Sequence, residues 1–116
     1  MSSLHSQAKQ LLNTFSKYGP TSTPELIQGA SIKRDAEELE KFSFMLNENK
    51  NIFDGNDLNI IEDLINKIDG LIEEFVNVND FNDRRNIGNN IIILLKSFTS
   101  VSKSLLDNQK EEFTIT

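Results

Sequence analysis

The sequence predicts an all-α protein, an antiparallel four-helix bundle. Runs of apolar residues repeat along it with alternating spacings of four and three, the pattern of a helix that buries one narrow stripe against other helices. The segments between these runs contain residues typical of turns and helix caps, including both prolines, Pro20 and Pro24. A length of 116 residues fits one domain.

The first predicted helix extends from about Ser3 to Tyr18, with Ser2 or Ser3 as its N-cap. Its apolar stripe consists of Leu4, Ala8, Leu11, Phe15 and Tyr18. The Gly19-Pro20 pair ends this helix, because proline cannot continue a helix. A new helix starts at Pro24, a residue that fits the first helical turn, with Ser22 or Thr23 as the cap.

The second helical region is less regular near Gly29, where a break in the chain would create a fifth, short helix. From Ile32 onward the apolar pattern is regular again. Its stripe consists of Ile32, Ala36, Leu39, Phe42 and Leu46. The opposite face is charged, and we expect Glu37 to pair with Lys41 one turn later.

The third predicted helix follows a turn that contains Asp54-Gly55, and it extends from a cap at Asn56 or Asp57 to about Val76. Its stripe consists of Ile61, Ile65, Ile68, Ile72 and Phe75. The fourth extends from about Asp83 to about Gln109 and has the longest repeat. Its stripe, preceded by Arg84, consists of Ile87, Ile91, Leu94, Phe98, Val101 and Leu105.

The predicted domain covers residues 1–109. Residues 110–116 lack periodicity and are expected to form a mobile C-terminal tail. Within the fourth helix, Gly88 and Ser102 are small enough to let a neighbouring helix approach closely.

The negative charge is concentrated in the third helix and its flanking loops. Residues 51–80 contain eight Asp and Glu residues and one lysine, a net charge of −7 in a chain whose total is −6. Three of these residues, Glu62, Asp69 and Glu73, form an acidic stripe on this helix. It either solvates the surface, with loose pairing to Arg85, Lys96 and Lys103 of the fourth helix, or contacts a basic partner.

The sequence lacks the residues that several kinds of metal and catalytic site require. The chain has no cysteine and one histidine, His5, so thiolate metal sites and His-rich sites cannot be built. The segments 54–57 and 77–80 lack the ligand spacing of a calcium-binding EF-hand, and the scattered glycines form no phosphate-binding loop. We therefore expect no catalytic residues, no metal and no cofactor, and hence no enzyme.

The sequence also lacks the features of proteins that span membranes or bind nucleic acids. Its longest apolar run, residues 91–95, is far shorter than the ~20 residues that span a bilayer. The N-terminal region has no secretory signal, so we expect no membrane insertion and an intracellular, cytoplasmic protein. An acidic chain without a basic patch is not expected to bind nucleic acid directly.

One face of the fourth helix is uncharged although it lies off the apolar stripe. This uncharged face consists of Asn86, Asn90, Ile93, Ser97, Ser100 and Ser104. Depletion of charge around an apolar residue is typical of a contact surface. The alternative is that the fourth helix is central and that this face packs inside the molecule.

These observations predict a non-catalytic protein–protein interaction module, a small helical subunit or adaptor of a larger assembly. Its partner would be another protein chain or a second copy of the same chain, bound at the uncharged face. The alternative is an acidic inhibitor or mimic that occupies a basic site on a nucleic-acid-binding protein. No motif in the sequence identifies a family, and helical bundles serve many functions.

Overall fold

A computed structural model of the chain describes residues 2–20, 23–28 and 31–115, and these form helices and short connections without a strand. The helices are α1 (Ser2–Phe15), α2 (Pro24–Gln28), α3 (Ile32–Glu48), α4 (Gly55–Asn77) and α5 (Phe81–Ile115). Short 3₁₀ turns follow α1 at Ser16–Tyr18 and α3 at Lys50–Ile52. The all-α class is confirmed, and α2 is the short fifth helix. Gly29 and Ser22 lie outside the described residues.

The four long helices form a bundle in which each helix packs against two others. Helix α1 contacts α3 and α5, and α4 contacts the same two from the opposite side. The N-terminal part of α1 meets the C-terminal part of α3 where Gln7 donates a hydrogen bond to the Met45 sulfur. It also meets the distal part of α5, where His5 contacts Ser102. Neighbouring helices are therefore antiparallel, as predicted.

The predicted stripe of α1 lies wholly in the core, since all five of its residues are buried. Rings from three elements pack at one end of the bundle. The ring of Phe75 lies 5.5 Å from that of Phe15 and 4.9 Å from that of Tyr18, measured between centroids. At a second point Phe42 of α3 packs edge-on against Phe98 of α5 at 5.2 Å. These contacts join helices that are distant in sequence into one core.

Helix α4 begins earlier than the sequence indicates. Asp54 rather than Asn56 or Asp57 occupies the N-cap position, and Gly55 is the first helical residue. Gly55 has a φ of 54°, a left-handed conformation that glycine adopts without steric cost. The Asp54-Gly55 turn therefore leads directly into the helix.

Helix α5 is longer at both ends than the predicted range from Asp83 to Gln109. It begins at Phe81, and the backbone N–H of Arg84 donates to the carbonyl of Asp80 at 3.1 Å. It continues to Ile115 because the residues after Gln109 include good helix formers such as lysine and glutamate. The mobility of residues 110–116 stays a prediction.

The buried stripe of α5 is rotated relative to the predicted one. Leu95 and Ser102 are fully buried, whereas the predicted core residues Leu94 and Val101 are only partly buried. Gly88 is also buried; it faces the 3₁₀ turn after α1, where its lack of a side chain lets Tyr18 approach closely. The buried stripe of α5 therefore includes small and polar residues, which a pattern based on apolar residues alone does not detect. Leu105 lies outside the described side chains.

Arg84, which precedes the apolar stripe, closes the junction between α4 and α5. Its Nε donates to the backbone carbonyl of Phe75 at 3.3 Å, and its terminal nitrogen donates to that of Val78. Carbonyls at the C-terminal end of a helix lack partners within the helix and carry partial negative charge. The guanidinium therefore satisfies the end of α4 and fixes the turn into α5.

Candidate protein-binding surfaces

The uncharged face of α5 is exposed along its whole length. Each of its six residues, from Asn86 to Ser104, is accessible to solvent. Ile93 lies near the middle of this face and is 55% exposed, among the most accessible large apolar side chains of the described residues. The alternative in which this face packs inside the molecule is therefore wrong for the single chain.

A groove between α4 and α5 adjoins this face. It has a volume of about 410 Å³ and is lined by Leu71, Leu94 and Ile93, with Gly70 on the α4 side. A β-carbon placed on Gly70 would meet nothing within 4 Å, so the absence of a side chain there leaves the apolar residues accessible. The rotation of α5 explains why Leu94 lines this groove. Ile93 is thus part of an apolar strip and not an isolated exposed residue.

The acidic stripe of α4 faces solvent on the other side of that helix. Glu62, Asp69 and Glu73 are all exposed. Among the described residues, none of the three forms an ion pair, and the suggested pairing with the basic residues of α5 is absent. Asp69 instead accepts a hydrogen bond of 2.7 Å from the hydroxyl of Ser43, a buried residue of α3.

Two ion pairs between exposed side chains each lie within a single helix. Lys67 pairs with Asp63 at 2.8 Å within α4, and Lys41 lies 3.9 Å from Glu38 within α3. The expected pair between Glu37 and Lys41 does not form, because Lys41 is directed to the carboxylate three residues earlier. Such exposed pairs contribute about 0–1 kcal/mol each.

A second groove lies between α3 and α4 and has a volume of about 540 Å³. Asp69 and Glu73 of the acidic stripe line it, together with Phe44 of α3. Phe44 is 65% exposed. Phe44 is not among the predicted site residues, although its position off the apolar stripe of α3 is the sequence signal for an exposed aromatic ring.

A polar cluster that was not predicted lies where α1 ends and α3 begins. The phenol of Tyr18 donates to the carboxylate of Asp35 at 2.5 Å, and the Lys17 ammonium lies 2.9 Å from the same oxygen. Burial, and then the hydrogen bond to Asp35, raises the pKa of the Tyr18 phenol well above its ordinary value. Asp35 falls between Ile32 and Leu39 on the apolar side of α3, which is the sequence signal for this cluster.

His5 of α1 contacts Ser102 of α5. Its Nδ1 lies 2.6 Å from the hydroxyl oxygen of Ser102, and that hydroxyl donates its proton to the carbonyl of Thr99 at 3.2 Å. The imidazole therefore joins α1 to α5 where the small residue Ser102 admits it. In the described part of the chain, no three His, Asp or Glu residues are grouped in a way that could hold a metal ion.

None of the described helices combines the length and the apolar character needed to cross a bilayer. No protein-family model, curated protein or solved structure matches this chain.

Proposed function

We propose that this chain is a non-catalytic protein–protein interaction module, a small helical subunit or adaptor, that binds its partner through the α4–α5 groove and the uncharged face of α5. The observation that carries the proposal is the exposure of Ile93 in the middle of a charge-depleted face. Exposed helix surfaces usually carry lysine and glutamate, whereas contact surfaces are depleted of them. The strip formed with Leu71 and Leu94 gives the partner a continuous apolar contact.

The polar residues around Ile93 suit a protein surface better than other ligands. Asn90 and Ser97 offer amide and hydroxyl groups that donate and accept hydrogen bonds without the cost of desolvating a charge. A nucleic acid would need a basic footprint, and the chain carries a net charge of −6. The partner is therefore another protein chain or a second copy of this one.

The substitution Ile93→Lys tests this proposal, with Ile52→Lys as its matched control. Both isoleucines are exposed, at 55% and 45%, so neither change should unfold the chain. Ile93→Lys should weaken partner binding or self-association by about 1–4 kcal/mol, because it places a charge in the centre of the contact. Ile52→Lys should have no such effect, since Ile52 lies in the 3₁₀ turn after α3.

The measurements are sedimentation velocity for self-association and quantitative affinity capture from the native cell for other partners. Circular dichroism establishes that each variant is folded. If Ile93→Lys retains the association state and every captured partner of the wild type, the proposed surface is wrong. Equal losses with both variants would also contradict the proposal, because they would reflect added positive charge alone.

A second candidate function rests on the charge of α4. Glu62 and Glu73 are exposed and unpaired among the described residues, so an acidic inhibitor or mimic could present them to a basic site on a nucleic-acid-binding protein. Salt distinguishes the two candidates. Binding through these carboxylates should weaken steeply as ionic strength rises, whereas apolar packing around Ile93 should change little.

A further inference from the structure

The groove between α3 and α4 is a separate surface with its own chemistry. Its most accessible apolar residue is Phe44, which is 65% exposed, and Ile72 of α4 lies half-buried across from it. A phenylalanine in such a position leaves most of an aromatic ring in water, which is unfavourable for the isolated chain. The ring would be stabilised by an apolar partner group that enters the groove.

The charged residues that line this groove have one sign. The carboxylates of Glu40, Asp69 and Glu73 line it, and no lysine or arginine does. The hydrogen bond from buried Ser43 holds Asp69 at the junction of the two helices. Each groove-lining carboxylate is exposed and none is in an ion pair within the ranges that the structure covers. The groove therefore attracts a positively charged partner and repels nucleic acids and anionic lipids.

The length of the groove matches a short stretch of helix. Its lining residues extend from Glu40 to Asn47 on α3 and from Ile65 to Glu73 on α4. At 1.5 Å per residue, each wall is about 10–12 Å long, or about two helical turns. Helices that bind in grooves use apolar anchors at positions i, i+3 or i+4 and i+7, which also extend over about two turns.

We propose that the α3–α4 groove binds a cationic amphipathic helix of another protein. An apolar anchor of that helix packs on Phe44 and Ile72, and lysine or arginine side chains beside the anchor pair with Glu40 and Glu73. The apolar contact fixes the position of the bound helix, and the carboxylates favour a helix that carries positive charge. This site does not depend on the uncharged face of α5.

The test uses a fluorescein-labelled peptide of leucine and lysine as the probe. The peptide has about 18 residues, long enough to form a helix, with leucines on one face. Two control peptides accompany it: one has the same composition with the leucines dispersed, and one has glutamate in place of lysine. Fluorescence anisotropy with the full chain should show binding of the amphipathic lysine peptide alone, and Phe44→Ser should weaken it by about tenfold or more.

A matched pair of charge reversals tests the position of the site. Glu73→Lys and Glu74→Lys change the net charge equally at adjacent positions of α4, but Glu73 lines the α3–α4 groove and Glu74 lines the α4–α5 groove. Glu73→Lys should weaken peptide binding several-fold more than Glu74→Lys does. Equal effects of the two substitutions would mean that the peptide responds to overall acidity, and the proposal would be overturned.

Two further outcomes decide the proposal. Backbone amide shifts in nuclear magnetic resonance spectra of the wild type should change along 40–47 and 65–73 when the peptide is added. Shifts confined to the α4–α5 groove, or binding unaffected by Phe44→Ser, would overturn it. Ile93→Lys should leave peptide binding unchanged, so failure of this site and failure of the proposed function are distinguishable.

Discussion

The substitution Gly88→Ala tests the close contact between α5 and the 3₁₀ turn after α1. A β-carbon on Gly88 would lie 2.5 Å from the β-carbon of Tyr18 and 3.2 Å from its carbonyl oxygen. Both atoms belong to or adjoin the backbone, so neither can rotate away. Overpacking of this kind costs about 1–3 kcal/mol. In contrast, the change from glycine to alanine within a helix by itself stabilises by about 0.5–1 kcal/mol.

Gly70→Ala provides the matched control, because it makes the same change in the interior of a long helix where no atom lies within 4 Å. The helix-propensity gain is common to both variants and cancels in their difference. We therefore expect Gly70→Ala to be slightly more stable than the wild type, and Gly88→Ala to be less stable than Gly70→Ala by about 1–3 kcal/mol.

Urea unfolding followed by far-ultraviolet circular dichroism measures this difference. With a urea dependence of about 2 kcal/mol per M, the two midpoints should differ by about 0.5–1.5 M. Equal midpoints for the two variants would show that α5 and the 3₁₀ turn after α1 separate at no cost. The close approach at Tyr18 would then not determine how these segments pack.

Three further outcomes are expected. Ile68→Ala, at a fully buried position, should lower the free energy of unfolding by about 2–5 kcal/mol, whereas Glu62→Ala, at an exposed position, should change it by less than about 0.5 kcal/mol. Similar urea midpoints for these two variants would contradict the helical phase of α4. Asp69→Ala should lower the free energy of unfolding in urea by about 1 kcal/mol, since it removes the hydrogen-bond acceptor of the buried Ser43 hydroxyl. A decrease below about 0.3 kcal/mol would show that this hydrogen bond contributes nothing to stability. The raised pKa of Tyr18 means that the folded state keeps the phenolic proton to higher pH than the unfolded state does, so stability should be fully present below about pH 10 and fall above it. As Tyr18 is the single tyrosine and the chain lacks tryptophan, absorbance near 295 nm should report tyrosinate only on unfolding; a Tyr18→Phe variant with the same alkaline slope would refute this cause.

The sequence determined the helical architecture because amphipathic periodicity follows from burial on one side of each helix. All five stripe residues of α1 were predicted, as were Ala36, Leu39 and Leu46 in α3. The positions of the turns could also be predicted from the sequence, since glycine and proline influence the backbone at their own positions. The exposure of Ile93 followed from the same helical phase, which placed it off the apolar stripe.

Only the tertiary structure decided which surfaces adjoin one another. Phe44 and Glu73 are 29 positions apart in the sequence, and nothing local indicates that they line one groove. The close contact of Gly88 in α5 with Tyr18 after α1 likewise joins segments that are distant in the sequence. Local periodicity specifies which side of a helix is buried, but the packing of side chains from distant segments specifies the rotation and the neighbour. The sequence therefore determined four long helices and most residues of their inner faces, and the contacts between helices determined the rotation of α5 and the grooves.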